Sequence, residues 1–222
     1  MKYRILAGAA GVALFASAAT AQVCQGDLSF RGGSTHIGGA LGISSNTTSF
    51  GGGATFGHAR GLYGGGSLGI MQFDGASGNS FVLGGGVGYA MPLMDRSPWQ
   101  LCPGATLNLG FGPSVDLGGG NTLHMSTQTF TLGASAGRAL PLNKSITLLP
   151  FGSAALGHMT AHASVGGVGS GSVSDTYLLL GFGAGFQVST KLVLRPAMSI
   201  AAGADLMDDT VFSFAVTFAL PR

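Results

Sequence analysis

The sequence predicts an all-β protein: an antiparallel, up-and-down transmembrane β-barrel of about 10 strands, with 8 as the alternative. Three observations carry this. Near the end of the chain, in "FSFAVTFAL", Phe212, Phe214, Val216, Phe218 and Leu220 are large and apolar, and the residues between them are small. Strict alternation places the two sets on opposite faces of a strand. Only 8% of the residues are charged, against roughly 25% in a soluble domain, and the mean hydropathy is +0.43. Yet outside the N-terminal leader nothing reaches the ~18 continuous apolar residues of a membrane helix. The remaining membrane solution is a closed barrel, in which every backbone N–H and C=O pairs between strands.

The elements follow in order. Residues 1–21 read as a secretory signal peptide: Lys2 and Arg4, the apolar run "ILAGAAGVALFASA", then the small residues Ala19-Thr20-Ala21 before the cut. A lipoprotein signal at Cys24 would need a small residue just before it, and Val23 stands there. Residues 22–33, "QVCQGDLSFRGG", form an N-terminal segment, and 34–222 the barrel domain. Turn residues divide that domain into strands at 34–44, 49–57, 62–73, 80–91, 99–111, 123–138, 146–159, 175–188, 192–203 and 210–220. Alternation is clean in the fourth, where Phe81, Leu83, Val87 and Tyr89 oppose Val82, Gly84, Gly86 and Gly88. It is clean again in the fifth, with Trp99, Leu107, Leu109 and Phe111 against Gln100, Cys102, Thr106 and Asn108. In the eighth, Leu178, Leu180, Phe182 and Phe186 oppose Leu179, Gly181, Gly183 and Gly185. The first three strands are diluted by glycine.

One face is bulky and apolar, and the other carries Gly, Ala, Ser, Thr, Asn and Gln almost without charge. A soluble sandwich would place Lys, Asp and Glu on its wet face. The connections alternate in length. Those after odd strands include "GPSVDLGGGNT" (112–122) and "TAHASVGGVGSGSVS" (160–174); those after even strands run from "STK" to "PLMDRSP". Charge sorts along the same axis. Arg60, Arg96, Arg138, Lys144, Lys191 and Arg222 fall at the even-turn end. Asp74, Asp116, Asp175, Asp205, Asp208 and Asp209 fall at the odd-loop end, with Asp95 as the exception.

With its signal, its meander and "FSFAVTFAL" as closing strand, the chain resembles the small outer-membrane β-barrel proteins of Gram-negative bacteria. The resemblance covers essentially the whole chain after the signal. It departs from that class at Leu220-Pro221-Arg222, where an aromatic end is usual. It implies short periplasmic turns, longer outer loops and both termini in the periplasm. It also implies outer-membrane lipid and the barrel-assembly machinery as partners, and a monomer.

Few residues could carry chemistry. Cys24 and Cys102 are the two cysteines, and in an oxidising compartment they read as a disulfide. That bond would pin residues 22–33 into the periplasmic mouth as a cap or plug; the other reading is two separate thiols. Arg195 is the one cation inside a strand. It is placed in the lumen with Gln100, Thr106 and Asn108, either narrowing a pore or pairing with Asp27. Phe212, Phe214, Val216, Phe218 and Leu220 are placed against lipid. Trp99 and Tyr89 are expected in the periplasmic aromatic belt and Phe111 near the outer one. His158 and His162 in "HMTAH" are four apart, but the stretch reads as strand running into loop, with no third ligand evident. His124 and Asp175 could approach Asp208 and Asp209 at the outer rim, where some longer barrels are proteases; none of their motifs is matched. Asp205, Asp208 and Asp209 lack a calcium-loop pattern and read as solvated acids. No metal, cofactor or catalytic residue is assigned. Lysine and arginine balance aspartate after the signal, so a nucleic-acid partner is not indicated. Three function classes fit: a structural or surface barrel, a narrow passive pore for small solutes, and a secreted soluble β-protein that binds a partner or apolar ligand.

Overall fold

The computed structural model describes residues 23–27, 34–58, 61–74, 79–94, 98–112, 115–118, 121–165, 169–206 and 208–220. The signal peptide, residues 28–33, Arg60, Asp95, Arg96 and Arg222 lie outside them, and Asp116 is described by its backbone only. Ten long strands form the wall: β1 (Thr35–Ser44), β2 (Thr47–Gly57), β3 (Leu62–Phe73), β4 (Asn79–Tyr89), β5 (Trp99–Phe111), β6 (Asn121–Arg138), β7 (Thr147–Val165), β8 (Gly169–Gln187), β9 (Leu192–Ala202) and β10 (Thr210–Leu220). Each pairs antiparallel with its sequence neighbours. The first also pairs with the last, from Thr35↔Leu220 to Ser44↔Val211, and this closes the barrel.

The alternation holds around the whole ring. Outward-facing Phe212 is 60% exposed and Phe214, Phe218 and Leu220 are also exposed, with Val216 partly so, while Val211, Ala215 and Thr217 between them are buried. The glycine-diluted strands obey the same rule. Leu41, Phe50 and Leu68 point out; His36, Thr55, Tyr63 and Met71 point in. Glycine there weakens the pattern without altering it, because pairing with both neighbours already fixes the register. Asp74, Asp175, Asp205, Asp208 and Asp209 lie at the end opposite the termini, and Arg138, Lys144 and Lys191 at the terminal end.

The structure corrects several boundaries. The predicted loop 160–174 is mostly strand: β7 runs to Val165 and β8 starts at Gly169, so the two form one long hairpin beyond the barrel rim. Thr, Ser, Ala and Val alternate there as well, but the outward positions are hydroxyls, so a search for apolar alternation passes over them. Loop 112–122 contains a short strand, Val115–Gly118, laid on the start of β6. The tie between β1 and β2 shrinks to Ser45 and Asn46. Two-residue bridges, Met91–Pro92 and Leu140–Pro141, extend the wall at the terminal end.

At the opposite end two carboxylates hold loops in place. Asp175 accepts from the backbone N–H of Asp205 (2.7 Å) and of Leu206 (3.3 Å), which draws Leu206 down onto Met159, Ala161, Tyr177 and Ala201. Asp208 accepts from the Ser45 hydroxyl at 3.0 Å and from Ser44 and Asn46. Burial pushes the Asp208 carboxyl up, but the bonds from Ser44, Asn46 and Ser45 outweigh it and hold its pKa below the ordinary carboxylate value. A lowered folded-state pKa means the tie is fully present above the ordinary value of about 3.9 and is lost as pH falls through the lowered one. The protection factors of the Asn46 and Thr47 amides, which remove the intrinsic pH dependence of exchange, should therefore fall as pH drops below about 3.9. In Asp208→Ala they should be low at all pH values. Protection factors that stay pH-independent in the native chain would show that Asp208 does not hold this turn.

Candidate functional site

The barrel's terminal end is filled by its own N-terminal segment. Val23–Gln25 make one 3-10 turn, closed by the Gly26 N–H donating to the Val23 carbonyl at 3.1 Å. Cys24 and Cys102 form a disulfide with Cα atoms 6.0 Å apart, buried at 0% and 2% exposure against Tyr63 and Ala90. The expected pairing is therefore present. Closing a loop across a sequence separation of 78 restricts the unfolded chain by about 4 kcal/mol in chain-entropy terms. The Gln25 side chain donates to the Tyr63 hydroxyl at 3.3 Å. Val23 packs on Leu149 and Val193.

Arg195 meets this plug from the wall. Its guanidinium donates to the Gln25 carbonyl at 2.9 Å and lies 5.9 Å from the Phe151 ring centroid. Asp27 is completely buried and accepts from the Thr217 hydroxyl at 2.7 Å; it attracts Arg195 electrostatically. Arg195 and Asp27 are both buried, and the charge of Asp27 offsets part of the cost of desolvating the guanidinium. The direct contact of Arg195 with the N-terminal segment is its hydrogen bond to the Gln25 carbonyl.

The wall is cut to receive the turn. Pro196 has no N–H to give, and the β8–β9 ladder omits Ala184–Gly185 opposite Arg195–Pro196. Gly26 adopts φ +73° and rests in that gap: a Cβ on Gly185 would collide with the Gly26 carbonyl, and one on Gly26 would reach Phe151 at 2.5 Å. Both positions need glycine, one for the close approach and one also for the left-handed backbone.

Above the plug lies a cavity of about 140 Å³ lined by Tyr63, Thr106, Thr131, Ser135, Arg195 and Ser199 among others. Thr106 and Thr131 share a hydrogen bond at 2.6 Å. Gln100 and Asn108 share the parity of Cys102, with Asn108 1% exposed. Farther out two apolar clusters stand in the interior, Met159, Tyr177, Ala201 and Leu206 and Met71, Val82 and Phe73, beside buried Ser49, Ser80 and Thr129.

Among the described residues the histidines and acids form no common cluster of three or more. His158 and His162 lie on one extended strand, about 13 Å apart at ~3.3 Å per residue, too far to share a metal. Among the described residues no group of three or more His, Cys, Asp or Glu could hold a metal ion. Asp175 and Asp208 serve loop backbone and turn hydroxyls rather than a rim site with His124. Sequence reasoning missed Tyr63, Phe151, Gly185 and Thr217 as plug contacts. They lie on strands far apart in the chain, and no local pattern marks them.

No protein-family model and no curated protein matches the sequence. Solved structures do. The fold is similar to the β domain of the Bordetella autotransporter BrkA, at TM-score 0.53 and 14% identity, over 85% of this chain and 100% of that one. It is also similar to the translocator domain of the autotransporter NalP from Neisseria meningitidis (TM-score 0.48, 14% identity, 84% and 86% covered). A third is Ail, the attachment invasion locus protein of Yersinia pestis (0.43, 15% identity, 86% and 100%). At these identities the likeness is one of fold. The fold is that of the outer-membrane β-barrel proteins. Within that architecture this chain is a ten-stranded barrel with a disulfide-held plug.

Substitutions at three positions separate plug from wall. Gly185→Val should expel the turn and leave Cys24 and Cys102 as thiols that react with maleimide in the folded barrel; the native chain should react only after unfolding and reduction. Arg195→Met alone should cost roughly 3–5 kcal/mol in denaturant unfolding, because it strands the Asp27 charge, and adding Asp27→Asn should recover much of the loss.

Proposed function

We propose that the protein is an integral outer-membrane β-barrel without catalytic activity, its lumen held shut by its own N-terminal segment: a surface or structural barrel rather than a standing pore. One observation carries the membrane reading. The outward face of the wall exposes large apolar side chains on nine of the ten strands, Phe50, Phe56, Leu68, Val87, Leu132 and Leu156 each by 57% or more, and on β9 Leu192, Leu194, Met198 and Ile200 are partly exposed. Soluble monomers rarely expose apolar patches beyond a few hundred Å². Lipid is the solvent that suits this band, and the closed ladder suits lipid, since it leaves no edge unpaired. Trp99 with Arg138 5.5 Å from its ring centroid, and Tyr89 beside them at the same end, fit an interfacial belt. In this reading residues 1–21 are removed as a signal, and the termini, the short turns and the plug face the periplasm.

The closed reading rests on the buried disulfide, the Arg195 and Asp27 contacts, and the apolar cluster beyond the cavity. An anion-selective pore would need an open path past Arg195, whereas here the plug stands against its guanidinium.

The protein should require detergent for extraction, and unheated and boiled samples should migrate differently on gels. Phe214→Arg, between Phe212 and Phe218 in the outward series, should lower stability in lipid by about 2–4 kcal/mol, while Ser174→Arg on the outer hairpin should have little effect. In planar bilayers the native chain should give no conductance steps, and deletion of residues 22–33 should produce them. Solubility without detergent and no heat shift would overturn the membrane barrel in favour of a secreted soluble β-protein. Steady steps from the native chain would overturn only the closed lumen.

A further inference from the structure

The cavity above the plug borders a cation that wall and plug leave short of partners. Arg195 is 6% exposed, and a guanidinium carries several N–H donors in a planar fork. Among the described residues its hydrogen bond goes to the Gln25 carbonyl, a neutral group, at 2.9 Å. The Phe151 ring lies beside it. Asp27 attracts it from the plug and offsets part of its desolvation, while the Asp27 carboxylate takes the Thr217 hydroxyl at 2.7 Å. Buried charges are ordinarily both paired and hydrogen-bonded. This guanidinium lines the cavity with donors still to be matched.

The hydroxyls round the same cavity divide into used and unused. Thr106 and Thr131 bond each other at 2.6 Å. Ser153 and Ser213 donate to the wall carbonyls of Gly181 and Ala197 at 3.5 Å. Ser135 is 5% exposed, and its hydroxyl has no partner among the described residues. Register sets Ser135 opposite Ser153, Ser153 opposite Gly181 and Gly181 opposite Ser199. Directly paired residues share a face, so one polar row crosses four strands, and the glycine leaves room in it. The other flank is apolar, with Ala40, Ala155, Leu179 and Ala215. Among the described residues no carboxylate lines the space.

We propose that this cavity binds a short-chain monocarboxylate, its oxygens on Arg195 and its chain against the alanines and Leu179. Charge, size and wall select that class. A carboxylate accepts two parallel bonds from a guanidinium and supplies the negative charge that Asp27 provides only in part. The volume is about 140 Å³; a cavity of about 150 Å³ takes one benzene ring, so about six heavy atoms fit, as in butyrate. The apolar flank disfavours a bare inorganic anion, which would lose its hydration there without replacement. The inference goes beyond the shut-barrel reading: the lumen holds a solute rather than passing one, and Arg195 serves plug and ligand together.

The test uses the full chain folded in detergent, and the same chain refolded with butyrate present, so that a shut lumen cannot hide a site. Equilibrium dialysis with labelled butyrate should find one bound per barrel. Butyramide, the neutral isostere, and inorganic phosphate should not compete. Ser199→Leu and Ala40→Leu fill the cavity from two strands, away from the plug contacts. Each should abolish binding while the heat shift and the burial of the disulfide persist, and either one suffices if the other fails to fold. No butyrate bound in either preparation would overturn the proposal and mark a space for water alone. Equal competition by butyramide would also overturn it, because the site would then be a neutral apolar pocket; so would competition by phosphate. Binding unchanged in the cavity-filling variants would put the anion elsewhere and overturn it too. A native chain without a heat shift would overturn the barrel, and the site with it.

Discussion

The seam between β1 and β10 is the interaction on which the rest of the structure depends. A sheet with an apolar outer face has no water to satisfy its edges, and an unpaired edge in an apolar medium leaves a full row of N–H and C=O groups stranded. Pairing Thr35–Ser44 with Val211–Leu220 removes both edges at once. It also locks parity. With every strand held on both sides, a one-residue slip would turn the Phe212 face into the lumen and the Ser213 face to the outside, so the apolar band and the small-residue lining specify each other.

Closure at ten strands sets a second demand. Eight strands give an interior just wide enough for side chains to fill, and the diameter grows with strand number. Here the lining is largely Gly, Ala, Ser and Thr, which leaves space. The chain fills one end with its own Val23–Asp27 segment and the other with Met159, Tyr177 and Leu206. The plug is held by three unlike means: a covalent bond to β5, a buried charge relation with β9 and backbone contact through glycine to β8. Each fails under a different perturbation, so the plug is a built part of the barrel rather than a tail resting in it.

The long hairpin of β7 and β8 shows the same strand physics with the opposite polarity. Backbone pairing continues without interruption past Phe130, but the side chains exchange faces. Apolar groups turn inward over the lumen mouth and hydroxyls turn outward. A strand requires alternation, not a particular polarity on a particular side.

The amino-acid sequence by itself determined the architecture: an all-β meander, about ten strands and the outward parity of residues such as Phe81, Leu109, Phe182 and Phe212. These are period-two patterns within single strands, and burial on one side is enough to write them. It also marked Cys24 and Cys102, since two cysteines allow one intramolecular pairing. It did not reveal that β7 and β8 run on through 160–174, because hydroxyl and glycine residues alternate there without an apolar member on the outer side. Only the tertiary structure decided what the plug touches. Tyr63, Phe151, Gly185, Arg195 and Thr217 come from five strands, and closure alone brings them round one turn. Strand register likewise decided that His124, His162 and Ser172 share a face, because cross-strand neighbours are set by pairing and not by distance along the chain.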